Sequence, residues 1–318
     1  MTYRGPEVAA IVGAGVVGRS WIRVYARAGF LTRVHDPDAG QLARAIGWAV
    51  RSAEEDVRLG FLTREEARAE ESRILPCETL GDAVAGAGYV QESGPEAIAT
   101  KRAIYRELDR AASDDVILAS STSANDMSVI SEGVAGAHRC IVAHPVNPPH
   151  VIPVVEVLPG EKTDPRVVAA TLDLLRRVGM LPVEMNRFVP GFLLNRMQAA
   201  VVREAISLVG SGVASPEAVE MVMRDGLGLR WALMGPFGTG HSNSDGGVGR
   251  YYRDYGDAFS GLWGDLDTEP DFGDEVIDGI AAATRAAYGD GSVPALSAWR
   301  DRMIRRILRL KREDPPPG

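Results

Sequence analysis

Five residues of small and branched apolar side chains, 8–12, run directly into Gly13-Ala14-Gly15-Val16-Val17-Gly18, and an amphipathic segment over residues 16–28 follows. A strand that ends in such a turn and opens a helix belongs to one kind of architecture. The first glycine permits the tight turn, the second lets a pyrophosphate approach the backbone, and the third lets helix and strand pack closely. The phosphates then lie at a helix N-terminus, where unpaired N–H groups favour anions. A second apolar run, 31–35, ends in Asp36. A carboxylate there accepts both hydroxyls of an adenosine ribose and repels a 2′-phosphate, and Pro37 and Asp38 supply no arginine to hold one. The pattern points to NAD bound by Gly13, Gly15, Val16, Val17, Gly18 and Asp36. The competing reading, a glycine turn of another doubly wound fold, has no use for an acid at this position.

The first half of the chain alternates strand and helix. Residues 37–73 read as two amphipathic helices, the second opened by the capping box Thr63-Arg64-Glu65-Glu66. Apolar runs at 89–91, 116–119 and 140–143 alternate with helical segments such as 96–112. Strands separated by helices form parallel βαβ units. The pattern changes near residue 185. Residues 191–209 are apolar almost all round and predict a core helix. Ser215-Pro216-Glu217 is an N-cap, an N1 proline and a first-turn acid, opening a helix that is expected to stop at Gly226. Residues 235–255, rich in Gly, Ser, Asn and Asp, read as a loop, and residues 297–311 as a basic amphipathic helix with a solvated face. The expected fold is α/β: a Rossmann-type, mostly parallel sheet domain over 1–188, then an all-α domain over 189–318.

The net charge of −8 argues against a nucleic-acid partner, which needs a basic surface. Cys77 and Cys140 are the only cysteines and have no metal-ligand spacing, which suits a reducing compartment. Residues 1–7 lead into the first strand without a secretory apolar segment, and no apolar run is long enough for a bilayer. The expectation is a cytoplasmic protein with no membrane partner. The tail 314–318 carries three prolines and cannot continue a helix.

Ile141-Val142-Ala143-His144 reads as a buried strand, followed by a proline-rich turn and a second β-branched run carrying Glu156. Two ionisable residues in neighbouring apolar strands are costly unless paired. Paired, the carboxylate fixes the imidazole's tautomer and raises its basicity, as a general base requires. The plainer reading is a structural histidine satisfied by a backbone carbonyl, and this segment alone leaves both open. Hydroxyls in Ser120-Ser121-Thr122-Ser123 lie at the carboxyl end of a strand, where ligands bind. For Ser120 and Ser121 capping of the next helix is the simpler role. Asn195 and Gln198, spaced i, i+3 on an apolar helix, serve either a helix–helix hydrogen bond or a polar substrate group.

These segments resemble the 3-hydroxyacyl-CoA dehydrogenase superfamily and, within it, the lambda-crystallin / L-gulonate 3-dehydrogenase branch. The resemblance runs from about residue 8 to about residue 310. It rests on the stretches 11–21, 120–123, 141–149, 189–196 and 226–230, with the wording Ala143-His144-Pro145-Val146-Asn147-Pro148-Pro149 looking like the gulonate branch. It implies that His144 is the catalytic base, Glu156 its orienting partner, Ser123 a hydrogen-bond donor to the substrate oxygen near the nicotinamide, and Asn195 a second holder of that oxygen. It further implies cofactor contacts from Glu96, Lys101 and Asn147, and a homodimer through the helical domain.

The chain departs from the family at Gly238, where an acidic residue is usual, at the polar run Ala124-Asn125-Asp126-Met127, and at Gly94. The chemistry is expected to be retained while the substrate differs. Arg230 is the substrate-side candidate, because a guanidinium binds a free carboxylate in a bidentate pair, which a thioester does not need. The alternative is an arginine held by loop carbonyls or by a dimer partner. The function expected is NAD-dependent oxidation of a small polar 3-hydroxy acid. The alternatives are a 3-hydroxyacyl-CoA dehydrogenase, a carnitine-type 3-dehydrogenase with an anionic or aromatic cage, and a non-catalytic, crystallin-like NAD-binding protein.

Overall fold

The computed structural model describes residues 7–266, 269, 270, 272–289 and 293–316. The expectations for residues 1–6, Pro317 and Gly318 lie outside the described residues. The chain divides into two compact units, Met1–Leu194 and Asn195–Gly318.

The first unit is built on one eight-stranded sheet. Its strands are β1 (Val8–Val12), β2 (Leu31–His35), β3 (Ile74–Pro76), β4 (Tyr89–Glu92), β5 (Ile117–Ser120), β6 (Cys140–Pro145), β7 (Val154–Pro159) and β8 (Leu181–Glu184). The order is β3-β2-β1-β4-β5-β6-β7-β8, parallel throughout except between β6 and β7. Four consecutive residues of β1, Ala9 to Val12, are buried, as a strand covered on both faces must be. Chain order reverses between β1 and β4, which opens a crevice at the carboxyl ends of the strands. Helices α1 (Val16–Arg27), α2 (Ala39–Arg58) and α3 (Arg64–Glu71) follow β1 and β2. Thr63 and Glu66 form the expected capping box. Buried Arg23 of α1 ties the three helices together through Glu70 at 2.6 Å and Asp56 at 2.9 Å. Helices α4 (Leu80–Val84), α5 (Ile98–Ala111), α6 (Met127–Ile130) and α7 (Pro165–Arg177) complete the unit.

The second unit is helical: α8 (Leu194–Gly210), α9 (Pro216–Met221), α10 (Gly228–Trp231), α11 (Pro236–Ser242), α12 (Gly247–Asp265), α13 (Asp274–Tyr288) and α14 (Val293–Glu313). Three expectations change here. The helix capped by Ser215 does not stop at Gly226. It passes through a π-helical turn, Val222–Leu227, and continues to Trp231. A side chain at Gly228 would strike the Met223 carbonyl at 2.6 Å, so the glycine lets the wider turn close. Residues 235–255 are not a loop but α11, a short turn and the first part of α12. Pro236 starts α11 at a position that needs no N–H, and Gly240 lets the Tyr251 ring approach to 3.0 Å of where its Cβ would stand. The glycines that suggest a loop thus serve close helix packing. Helix α8, expected in the core, has no buried residue, and its side chains are half-buried or exposed.

Candidate active site

The carboxyl ends of β2, β1, β4, β5 and β6 are neighbours in that order, so Asp36, the glycine turn, the segment after Glu92, Ser120–Asn125 and His144 form one row. Four inter-strand steps span roughly 19 Å, the reach of an extended dinucleotide.

The row begins at Asp36. Its carboxylate receives the Ala14 N–H at 2.8 Å and the Asp38 N–H at 2.9 Å, so it holds the glycine turn as well as the end of β2. Gly13 has φ +91, and a Cβ there would meet the Ser93 and Gly94 backbone at 2.7–2.8 Å. A Cβ on Gly18 would lie 1.9 Å from the Gly13 carbonyl oxygen. Around a Cβ on Gly15 there is no protein atom within 4 Å, and α1 begins there with no side-chain cap. The residues therefore fit NAD: two glycines shape the turn, the third leaves open space, and the N-terminal amides of α1 face it.

Next along the row lies a network that sequence reasoning only half anticipated. Glu92, fully buried, takes Lys101 Nζ at 3.0 and 3.1 Å, Ser120 Oγ at 2.6 Å and the Gly94 N–H at 2.6 Å. Lys101 also contacts the Gly94 carbonyl at 3.4 Å and Glu96 at 3.6 Å. Its ammonium is thus spent inside the protein, and only Glu96 of that pair reaches the surface. One oxygen of Glu96 gathers Thr122 Oγ1 at 2.5 Å, the Ser123 N–H at 2.9 Å, the Ala124 N–H at 3.1 Å and Asn125 Nδ2 at 3.3 Å. Ser123 is thereby fixed through its backbone, while its hydroxyl has no partner among the described residues. Ser120 and Ser121 do not cap the next helix, which is capped by Asp126. Ser120 serves Glu92, and Ser121 receives Trp21 Nε1 at 3.1 Å and Gln91 Nε2 at 2.8 Å and lies 2.9 Å from Ser93 Oγ.

The row ends at His144. It stands directly opposite Glu156 in the β6–β7 register, and its Nδ1 is 2.8 Å from Glu156 Oε2. Glu156 Oε1 accepts the N–H groups of Leu193 at 2.7 Å and Leu194 at 2.9 Å. Burial works to raise the Glu156 pKa. The hydrogen bond from His144 and the two backbone amides outweigh it and hold the carboxyl below its ordinary range. An ionised partner makes Nδ1 the N–H donor and leaves the lone pair on Nε2. Phe192 meets the His144 ring edge-on, centroids 5.4 Å apart. Phe192 is buried with φ 51, which costs an L residue roughly 1–2 kcal/mol. Gly191 and Phe192 in this conformation turn the following amides toward Glu156. The peptide between Asn147 and Pro148 is cis, and Asn147 is exposed at the turn after β6.

The remaining candidates lie in the second unit. Asn195 is the second residue of α8 and half-buried, whereas Gln198 is exposed. Arg230 is exposed on α10, and no loop carbonyl holds its guanidinium among the described residues.

This fold, with its glycine turn and terminal His–Glu pair, agrees with the comparisons. The chain belongs to the 3-hydroxyacyl-CoA dehydrogenase family: the family's NAD binding domain matches residues 8–188 and its C-terminal domain residues 191–282. It is an NAD-dependent oxidoreductase of that family. It is 39% identical to a lambda-crystallin homolog of Bos taurus, over 98% of this chain and 97% of that one. It is 35% identical to an L-carnitine dehydrogenase of Streptomyces coelicolor, over 94% and 93% of the two chains. Among solved structures it resembles 5-formyl-3-hydroxy-2-methylpyridine 4-carboxylic acid 5-dehydrogenase, an NAD+ dependent dismutase, with TM-score 0.80, 29% identity and coverage of 96% and 98%. Among the described residues no helix is long and apolar enough to cross a membrane.

Proposed function

We propose that the protein oxidises the 3-hydroxyl of a small polar 3-hydroxy acid, L-gulonate or a relative, to the 3-oxo acid. The observation that carries this is the 2.8 Å His144–Glu156 pair at the end of the cofactor row. His144 Nε2 takes the hydroxyl proton, and Glu156 stabilises the imidazolium that forms. The bound nicotinamide supplies the hydride acceptor. Ser123, whose hydroxyl is unengaged, donates to the reacting oxygen, and Asn195 is its second holder. Glu96 keeps Ser123 in place, Lys101 keeps Glu96 in place, and Asn147 borders the cofactor. Arg230 takes the substrate carboxylate. Its free guanidinium supports that assignment over a structural one. The working form in this proposal is a homodimer, in which the partner covers the apolar sides of α8.

A second reading is supported by the aromatic side chains of α11 and α12. Phe237, Tyr251, Tyr252, Tyr255, Phe259 and Trp263 form a chain of ring contacts of 5.1–6.3 Å. Aromatic faces attract quaternary ammonium groups, so a carnitine-type substrate fits this composition.

The test is NADH appearance with a panel of 3-hydroxy acids, L-carnitine and 3-hydroxybutyryl-CoA. Turnover of a polar 3-hydroxy acid is expected. Turnover of the thioester alone overturns the proposal, carnitine alone selects the second reading, and NAD binding without turnover supports a non-catalytic role.

A further inference from the structure

Four donors and acceptors beneath the glycine turn constrain one another enough to fix the direction of a proton. Trp21 Nε1 only donates, and it reaches Ser121 Oγ at 3.1 Å. Gln91 Nε2 reaches Ser121 Oγ at 2.8 Å and the Ala143 carbonyl at 3.2 Å. A carbonyl only accepts, and Tyr89 Oη lies 3.4 Å from Gln91 Oε1, so the amide can be oriented only one way. Ser121 Oγ therefore accepts twice, which uses both lone pairs. Its 2.9 Å contact with Ser93 Oγ must then be a bond in which Ser121 donates and Ser93 accepts. Ser93 still has its own proton, and no other protein acceptor lies on its hydroxyl among the described residues.

Ser93 sits against the turn that receives the dinucleotide. A Cβ on Gly13 would lie 2.7 Å from the Ser93 carbonyl carbon, and a Cβ on Gly18 would lie 3.4 Å from Ser93 Cβ. The residue is partly open, at the carboxyl end of β4. We infer that Ser93 is a cofactor-binding residue, whose hydroxyl is held as an obligate donor to an acceptor oxygen in the phosphate–ribose backbone of NAD. Trp21, Gln91 and Ser121 act as positioning residues by forbidding the opposite proton direction. A hydroxyl whose oxygen is already held loses less rotational freedom when the ligand arrives.

The experiment is titration of the full-length protein with NADH, without substrate, followed by cofactor fluorescence and by calorimetry. Ser93→Ala is expected to raise the NADH Kd about tenfold, the scale of a hydrogen bond to a charged acceptor. Ser93→Cys, similar in size with a weak donor, falls between. Ser121→Ala frees the Ser93 hydroxyl to rotate and raises Kd by a smaller factor. The double variant binds no worse than Ser93→Ala alone, because both changes act through one proton. A Kd within twofold of the parent in both Ser93→Ala and Ser93→Cys overturns the assignment. Fully multiplicative effects in the double variant overturn the positioning role of Ser121. Because no substrate is present, neither result depends on the reaction proposed above.

Discussion

His144 and Glu156 face each other across the one antiparallel pairing in a sheet whose other pairings among the described residues are parallel. The antiparallel register puts the two side chains directly opposite on one face, where Nδ1 and Oε2 meet at 2.8 Å. Had β7 run parallel, a crossover of a dozen or more residues would separate the strands, and a partner only twelve positions along the chain could not reach. Glu156 is also tied to Leu193 and Leu194, so the imidazole's orientation is anchored to the turn that begins at Gly191.

Removing the proposed base and removing its partner should separate. His144→Gln is expected to keep NAD affinity and lose turnover by about 10²–10⁴. Glu156→Gln retains shape but not charge. It should cut turnover while leaving the NADH Kd unchanged, because no cofactor contact is lost. Steady-state kinetics beside NADH titration checks both, and full activity in His144→Gln would end the proposal.

Glu156 also makes an acid-stability prediction. Its folded-state pKa is depressed below the ordinary value, so the unfolded chain binds the proton more readily. The resulting stability is fully present above about pH 4.3, the unfolded carboxyl's range. It is lost as pH falls through the folded-state value. Chemical unfolding at pH 6 and again at pH 3 should show a smaller pH-dependent loss in Glu156→Gln than in the parent. An equal loss in both would remove Glu156 from this role.

Asp36 sets the choice between dinucleotides. A carboxylate at the end of β2 would meet the 2′-position of a bound adenosine ribose, and like charges disfavour a phosphate there. The parent should use NAD in strong preference to NADP. Asp36→Ser narrows the ratio of kcat/KM for the two, chiefly by losing NAD. It also releases the Ala14 amide, so both cofactors bind more weakly than a purely electrostatic swap would give.

Much of the site is legible in the sequence because each part is local. The glycine turn, Asp36 after the second strand and His144 near the end of its strand follow from residues a few positions apart. What escapes the sequence is set by packing between distant segments. Glu92 ends a buried strand, yet its polarity makes the apolar run seem to stop at Gln91. Only the fold brings Lys101 and Ser120 to it. A buried-strand glutamate with a lysine nine residues on was the available signal. The short edge strands β3 and β8 carry too few residues for a period to emerge. The glycines of residues 235–255 read as a loop because composition does not reveal that at Gly240 a ring occupies the space of the missing side chain.

The proposed homodimer is tested by mass. Helix α8 exposes Met197 and Val202, and α12 and α14 expose Leu262, Trp263 and Leu310. Exposed apolar side chains of this size are what a partner subunit would cover in the proposed dimer. Light scattering on the eluted protein should give twice the chain mass. A charged substitution at one of these positions, Val202→Asp, should shift it toward the single-chain mass.

The buried pair of Glu92 and Lys101 yields the sharpest stability prediction. Both side chains are all but inaccessible, and each supplies the charge the other needs. Lys101→Met leaves Glu92 with only Ser120 and Gly94 as donors, an uncompensated charge in the interior. Breaking a buried pair from one side costs roughly 3–5 kcal/mol. Replacing both partners, Glu92→Gln with Lys101→Met, removes the stranded charge, and the double variant should recover part of that loss. Lys101 also braces Glu96, which holds the Ser123 N–H, so the double variant should fold yet bind the nicotinamide end less firmly. Denaturant unfolding measures the first effect and NADH titration the second. A double variant no more stable than Lys101→Met would show that packing, not the stranded Glu92 charge, accounts for the loss.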